Sequence, residues 1–121
     1  KNENKIIIER INYHKKKGHK LILASAGFNI YLDIYGEKRG FDLVIGSKLE
    51  MINNIYTGQV LGDKLYGIKK LRQIKSFLDL KNYNLEKSYT YTDCFSDLPI
   101  LNLVGNRFIV KNGNYKQLKK M

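Results

Sequence analysis

A chain of 121 residues makes one domain with a modest core, and its net charge of +11 rests on eighteen lysines against four arginines. Nucleic acid is not the expected partner, because arginine supplies the planar forks that read bases and phosphates, and the excess of Lys, Asn, Ile and Tyr matches a codon bias. The longest apolar runs, Ile6 to Ile8 and Leu21 to Ala26, are far shorter than the roughly 20 residues that span a bilayer; with no signal-peptide pattern and the lone Cys94, a soluble cytoplasmic protein with no membrane partner is expected.

Ile7, Ile8 and Ile11 recur at helical spacing and Gly18 supplies a stop, so an amphipathic helix opens the chain, with Lys15, Lys16 and Lys17 at its carboxyl end where the helix dipole favours cations. Lys20 to Ala24 reads as a short buried strand, Phe28 to Tyr35 as a helix, and Phe41 to Ile45 as a second apolar strand closed by Gly46. Leu49 to Ile52 and Ile55 to Val60 pair as a hairpin around Asn53-Asn54, residues that tolerate positive φ. Tyr66 to Leu80 is the strongest helix, with Ile68, Leu71, Ile74, Phe77 and Leu78 on one stripe. Ser88 to Thr92 is β-branched and aromatic, hence a strand, and Pro99 fits only the first turn of a helix that starts near Asp97 and runs to Val104. A strand from Arg107 to Val110 and a polar tail from Asn114 complete the order. Apolar strands separated by helices predict an α/β fold, three layers around a parallel, Rossmann-like sheet.

Such a sheet gathers its functional groups at the carboxyl ends of its strands. Ser25, Ala26 and Gly27 follow the first strand, and their hydroxyl and amides suit a phosphate, although a serine there also serves as a helix cap. Asp93 and Asp97 flank a strand-to-helix turn. Either alone reads as a cap, whereas two carboxylates facing one crevice suit Mg²⁺ with a substrate phosphate. Lys70, Lys69 and Lys64 are the cations near that crevice, and composition does not choose among them. His14 and His19, five apart across Gly18, read as surface residues, and the nine tyrosines as scattered packing. Cys94, between acidic neighbours, lacks the electropositive surroundings of a nucleophile.

Three ordered blocks resemble the second, third and fourth motifs of haloacid dehalogenase-superfamily phosphatases, in the branch similar to phosphoserine phosphatase. They are Leu21 to Phe28, then Tyr56 to Gly62 running on to Gly67-Ile68-Lys69-Lys70-Leu71, then Tyr91 to Leu101. The resemblance implies a phosphomonoester hydrolase that works through an aspartyl-phosphate on a small phosphorylated metabolite. In that reading Ser25 and Lys70, with Lys69 as the substitute, bind and neutralise the phosphoryl group beside Ala26 and Gly27, while Asp93 binds Mg²⁺ supported by Asp97. The family's nucleophile belongs to an Asp-x-Asp-x-Thr strand, and no Asp-x-Asp occurs in this sequence; only Glu3 and Glu9 are acidic before Ser25. Residues 1–121 therefore resemble the carboxyl-terminal part of a core domain whose first strand and cap lie on a preceding segment. The alternative is a non-catalytic domain that keeps the fold and its phosphate or metal binding. A response-regulator receiver domain has a similar inventory but the opposite order, acids first and lysine last.

Overall fold

The computed structural model describes residues 5–61, 67–93 and 95–119, with the backbone alone for 26–31, 47–50, 56, 58–61 and 95. The opening helix α1 spans Lys5–Lys16 and stops before Gly18 at φ 75°, as the sequence predicts. It leads into β1 (Ile22–Phe28), α2 (Asn29–Arg39), β2 (Leu43–Ile52) and β3 (Ile55–Leu61). Helix α3 is Ile68–Phe77; β4 (Tyr89–Thr92), α4 (Leu98–Leu101), β5 (Asn106–Lys111) and β6 (Asn114–Leu118) follow.

Among the described residues six strands form two three-stranded sheets, in the orders β1-β2-β3 and β4-β5-β6. Each is built the same way. A parallel pair comes first, Ile22 to Ala24 against Leu43 to Ile45 in one sheet and Tyr89 to Thr92 against Asn106 to Ile109 in the other. An antiparallel hairpin then adds the third strand. The α/β class with a parallel core, expected to lack its first strand, is thus borne out; the sheet is in two parts, and among the described residues β1 and β4 each end a part with one strand neighbour.

Four boundaries differ from the sequence reading. Gly46 does not close the second strand: β2 continues through it to Ile52 and turns back at Asn53 (φ 52°) and Asn54 (φ 64°), the predicted hairpin. The strand at 22 extends to Phe28, so helix α2 starts one residue late and runs four past Tyr35. The tail from Asn114 is a strand, because Asn112 and Gly113 (φ 52° and 73°) form a tight turn that folds it back onto β5. Helix α4 ends at Leu101, short of Val104.

Helix α3 is shorter than predicted, and only part of its stripe is covered. Leu71 and Ile74 are buried, whereas Ile68 and Phe77 are exposed. Ile74 packs with Ile45 of β2 at the centre of a cluster that includes Ile22, Leu43 and Ile100. Ile100 belongs to α4, and the carbonyl of Leu101 in the same helix accepts from Arg107 Nε of β5 at 2.7 Å, so this helix ties the first sheet to the second. Leu101 is fully buried, and Phe108 of β5 is buried against the rings of Tyr89 and Tyr91. At the turn into β5, the Gly105 amide donates to the Leu85 carbonyl at 2.9 Å, and a methyl group on Gly105 would collide with the Glu86 carbonyl oxygen. Neither backbone can yield, so Gly105→Ala is expected to cost about 1–3 kcal/mol, read as a lowered urea midpoint. Among the described residues no helix is long and apolar enough to cross a membrane.

Candidate functional site

The best-defined polar cluster stands where α3 meets the segment after β4. Gly67 takes φ 51° at the start of α3, and a methyl group there would lie 2.8 Å from the Ser96 carbonyl oxygen, so only glycine lets the helix approach this loop so closely. Three residues on, Lys70 turns inward. Its Nζ lies 2.9 Å from Asp97 Oδ1 and donates to Oδ2 at 3.2 Å, and both side chains are buried. Thr92, the last residue of β4 and also buried, donates its hydroxyl to the same Oδ2 at 2.5 Å. Oδ1 meets Lys70 in the ion pair but has no well-directed hydrogen bond, which leaves it acceptor capacity.

Sequence reasoning made Asp97 a helix cap. It does occupy the position before α4, with Pro99 in the first turn as expected, but its side chain accepts nothing from the helix backbone. Lys70 and Thr92 take the carboxylate instead. A buried cation paired with a carboxylate persists because removing either partner would strand the other charge in a poorly solvated place. The structure also separates the two neighbouring lysines: Lys69 is exposed and Lys70 buried. Lys64 and Cys94 lie outside the described residues.

Asp93 is exposed at the end of β4, one residue beyond Thr92. Ser25 is half-buried, and it lies inside β1 rather than after it; regular pairing with β2 stops at Ala24, and the register shifts before Phe28. Ser25, Ala26 and Gly27 therefore occupy an irregular stretch whose backbone is not committed to an even ladder. Among the described side chains the structure brings together Lys70, Asp97 and Thr92. Ser25 lies in β1 and Asp93 one residue beyond β4, the strands that end the two sheets. Thr92 is the residue that sequence reading missed; the signal for it was a hydroxyl adjoining Asp93 at the end of a strand.

A sequence profile of haloacid dehalogenase-like hydrolases matches residues 4–102. The chain belongs to that family. This haloacid dehalogenase-like chain is 27% identical over 97 residues to the phosphoserine phosphatase SerB1 of Mycobacterium tuberculosis, covering 80% of the chain and 32% of the relative. It is 28% identical over 102 residues to a phosphoserine phosphatase of Streptococcus thermophilus, covering 84% and 47%. Among solved structures, a substrate-bound phosphoserine phosphatase complex superposes with a TM-score of 0.70 at 25% identity, over 83% of this chain and 48% of that one. A probable phosphoserine phosphatase from Vibrio cholerae shares the fold at the same TM-score of 0.70. The chain thus spans about a third to a half of the length of the proteins it matches.

Proposed function

We propose that this chain is the phosphate- and metal-binding portion of a Mg²⁺-dependent phosphomonoesterase, similar to phosphoserine phosphatase, which acts on a small phosphorylated metabolite through an aspartyl-phosphate. The observation that carries the reading is the buried Lys70–Asp97–Thr92 cluster, which holds an ammonium group in a fixed place at the end of a strand. A cation so held can neutralise phosphoryl oxygens without reorganising during the reaction. Ser25 would donate its hydroxyl to the same group from the irregular stretch of β1, with the Ala26 and Gly27 amides beside it. Exposed Asp93 would bind the metal. Asp97, with Lys70 and Thr92 already on it, would support the ion through the capacity left on Oδ1. Hard carboxylate oxygens of this kind suit Mg²⁺, which when bound screens charge between nucleophile and phosphate.

The nucleophile belongs on a strand that this sequence does not contain, and the outer edges of β1 and β4 are where such a strand would pair. Joining the chain to a segment with an Asp-x-Asp-x-Thr strand tests the proposal. The joined protein is expected to hydrolyse phosphoserine or p-nitrophenyl phosphate with Mg²⁺, to stop on chelation and to be inhibited by beryllofluoride. The chain alone should show no turnover. Activity that persists under chelation would overturn the metal assignment. The absence of Asp-x-Asp from these residues favours a second reading, a domain that binds phosphate or Mg²⁺ without turnover. Calorimetric binding of either to the unjoined chain, with a joined protein that stays inactive, is the result expected of that domain.

A further inference from the structure

His14 is not a surface residue. It is 6% exposed on the inner face of α1, and both its ring nitrogens are engaged. Nδ1 lies 2.8 Å from Nδ1 of His19, and Nε2 lies 2.9 Å from the Tyr91 hydroxyl. That hydroxyl also accepts from Arg10 Nε at 2.8 Å. Four of the nine tyrosines read as scattered are gathered here: besides Tyr91, Tyr13 and Tyr89 meet the His14 ring edge-on at 5.1 and 4.6 Å, and Tyr115 of β6 places its ring under the Arg10 guanidinium at 5.4 Å.

The directions of these hydrogen bonds follow from what each group can give. Arginine only donates, so Arg10 occupies a lone pair of the Tyr91 oxygen. A second lone pair remains on that oxygen, but among the described partners the Tyr91 hydrogen has an acceptor when it points to a bare His14 Nε2, so the fully satisfied arrangement has that nitrogen without hydrogen. The hydrogen of His14 is therefore on Nδ1, and it is given to His19 Nδ1. This arrangement leaves every hydrogen with an acceptor, and it runs from half-buried Arg10 to the exposed ring of His19. A proton added to His14 breaks it. Both ring nitrogens then donate, Nδ1 to His19 and Nε2 to Tyr91, so Tyr91 faces two donors and loses the acceptor for its own hydrogen.

We propose that the Arg10–Tyr91–His14–His19 chain is a proton-operated latch between α1 and β4, closed when His14 is neutral and loosened when it takes up a proton. It goes beyond the phosphatase reading and does not depend on it. The charged groups acting on His14 are Arg10 from its own helix and His19 from the turn, both repelling a second positive charge, while β4 and β6 present the phenols Tyr89, Tyr91 and Tyr115. Burial, with that repulsion from Arg10 and His19, holds His14 at about 4, below the ordinary 6.5. The unfolded chain takes its proton as pH falls through 6.5, but the folded chain does not until about 4. The stability that neutral His14 supplies is therefore full above pH 6.5 and is lost progressively toward 4.

Nitrogen-15 spectra of the histidines and amide exchange of the 121-residue chain test the latch. At pH 8, His14 should show one tautomer, protonated on Nδ1. Between pH 7.5 and 5, amides in the second half of α1 should lose protection tenfold or more beyond the intrinsic change in exchange rate. His14→Phe, which keeps a ring and takes no proton, should remove that acid response. Should that variant not fold, Tyr91→Phe is read instead, and it should mix the His14 tautomers. A wild-type His14 protonated on Nε2 at pH 8, or α1 protection indifferent to pH, would overturn the latch.

Discussion

Lys70→Met is expected to destabilise the chain by about 3–5 kcal/mol, the range for removing one partner of a buried ion pair. The methionine replaces the stem of the lysine almost atom for atom, so little of the loss comes from packing. It comes from Asp97, which would keep its Thr92 hydrogen bond but carry a charge that nothing neutralises, with a side chain only 9% exposed. The double variant Lys70→Met with Asp97→Leu should recover much of the loss. What remains, about 1–3 kcal/mol, is the Thr92 hydroxyl left without its acceptor, and adding Thr92→Val should reduce it further. Urea midpoints at constant slope report these differences directly. A single variant within about 1 kcal/mol of the parent would mean that the pair behaves as a solvated surface bridge, and the fixed cation on which the functional reading rests would be gone. In the joined enzyme, by contrast, the stable triple variant should remain inactive, since it repairs the fold and removes the cation.

The parts of the fold that the sequence disclosed were those with a strong local signal. Gly18 stops α1, Asn53-Asn54 turns the β2–β3 hairpin, and Pro99 lies in the first turn of α4. The misreadings came from contacts between residues far apart in the chain. Asn112-Gly113 carried the same kind of turn signal as Asn53-Asn54, but the strand it creates, Asn114–Leu118, is polar and half-exposed, so no apolar alternation marked it. Ile68 and Phe77 share the helical period of Leu71 and Ile74, yet only the inner part of that stripe finds a sheet to cover it. His14 sits among lysines in sequence, and its burial depends on β4, more than seventy residues later. In the site, residue type and order were enough to single out Asp93, Asp97 and a lysine. The family resemblance preferred Lys70 to Lys69; that Lys70 is the buried one depends on the register of α3, which Gly67 sets against Ser96. The tie between Asp97 and Thr92 required the turn between them, where a carboxylate expected on the helix backbone turns to a hydroxyl and an ammonium group.

Asp93→Asn should separate activity from stability more cleanly than any other change in this chain. Asp93 is exposed beyond the end of β4, so exchange for an amide of the same shape should shift the urea midpoint by no more than about 0.5 kcal/mol, as at most surface positions. Its proposed task needs charge: asparagine offers one neutral oxygen to a divalent cation where aspartate offers an anion. A metal that stabilises developing charge by several kcal/mol is worth about 10²–10³-fold or more at 1.36 kcal/mol per decade. The joined enzyme carrying Asp93→Asn is therefore expected to lose at least 10²-fold in kcat on phosphoserine, with a raised Mg²⁺ requirement and an unchanged fold. Asp97→Asn gives the necessary contrast, because that carboxylate is inside the Lys70 and Thr92 cluster; it should lower stability and activity together. If Asp93→Asn left kcat within threefold of the parent at saturating Mg²⁺, Asp93 would not be a metal ligand. If it lowered stability as much as Asp97→Asn, its carboxylate would be a structural partner of the loop, and the division of labour between an exposed ligand and a buried support would fail.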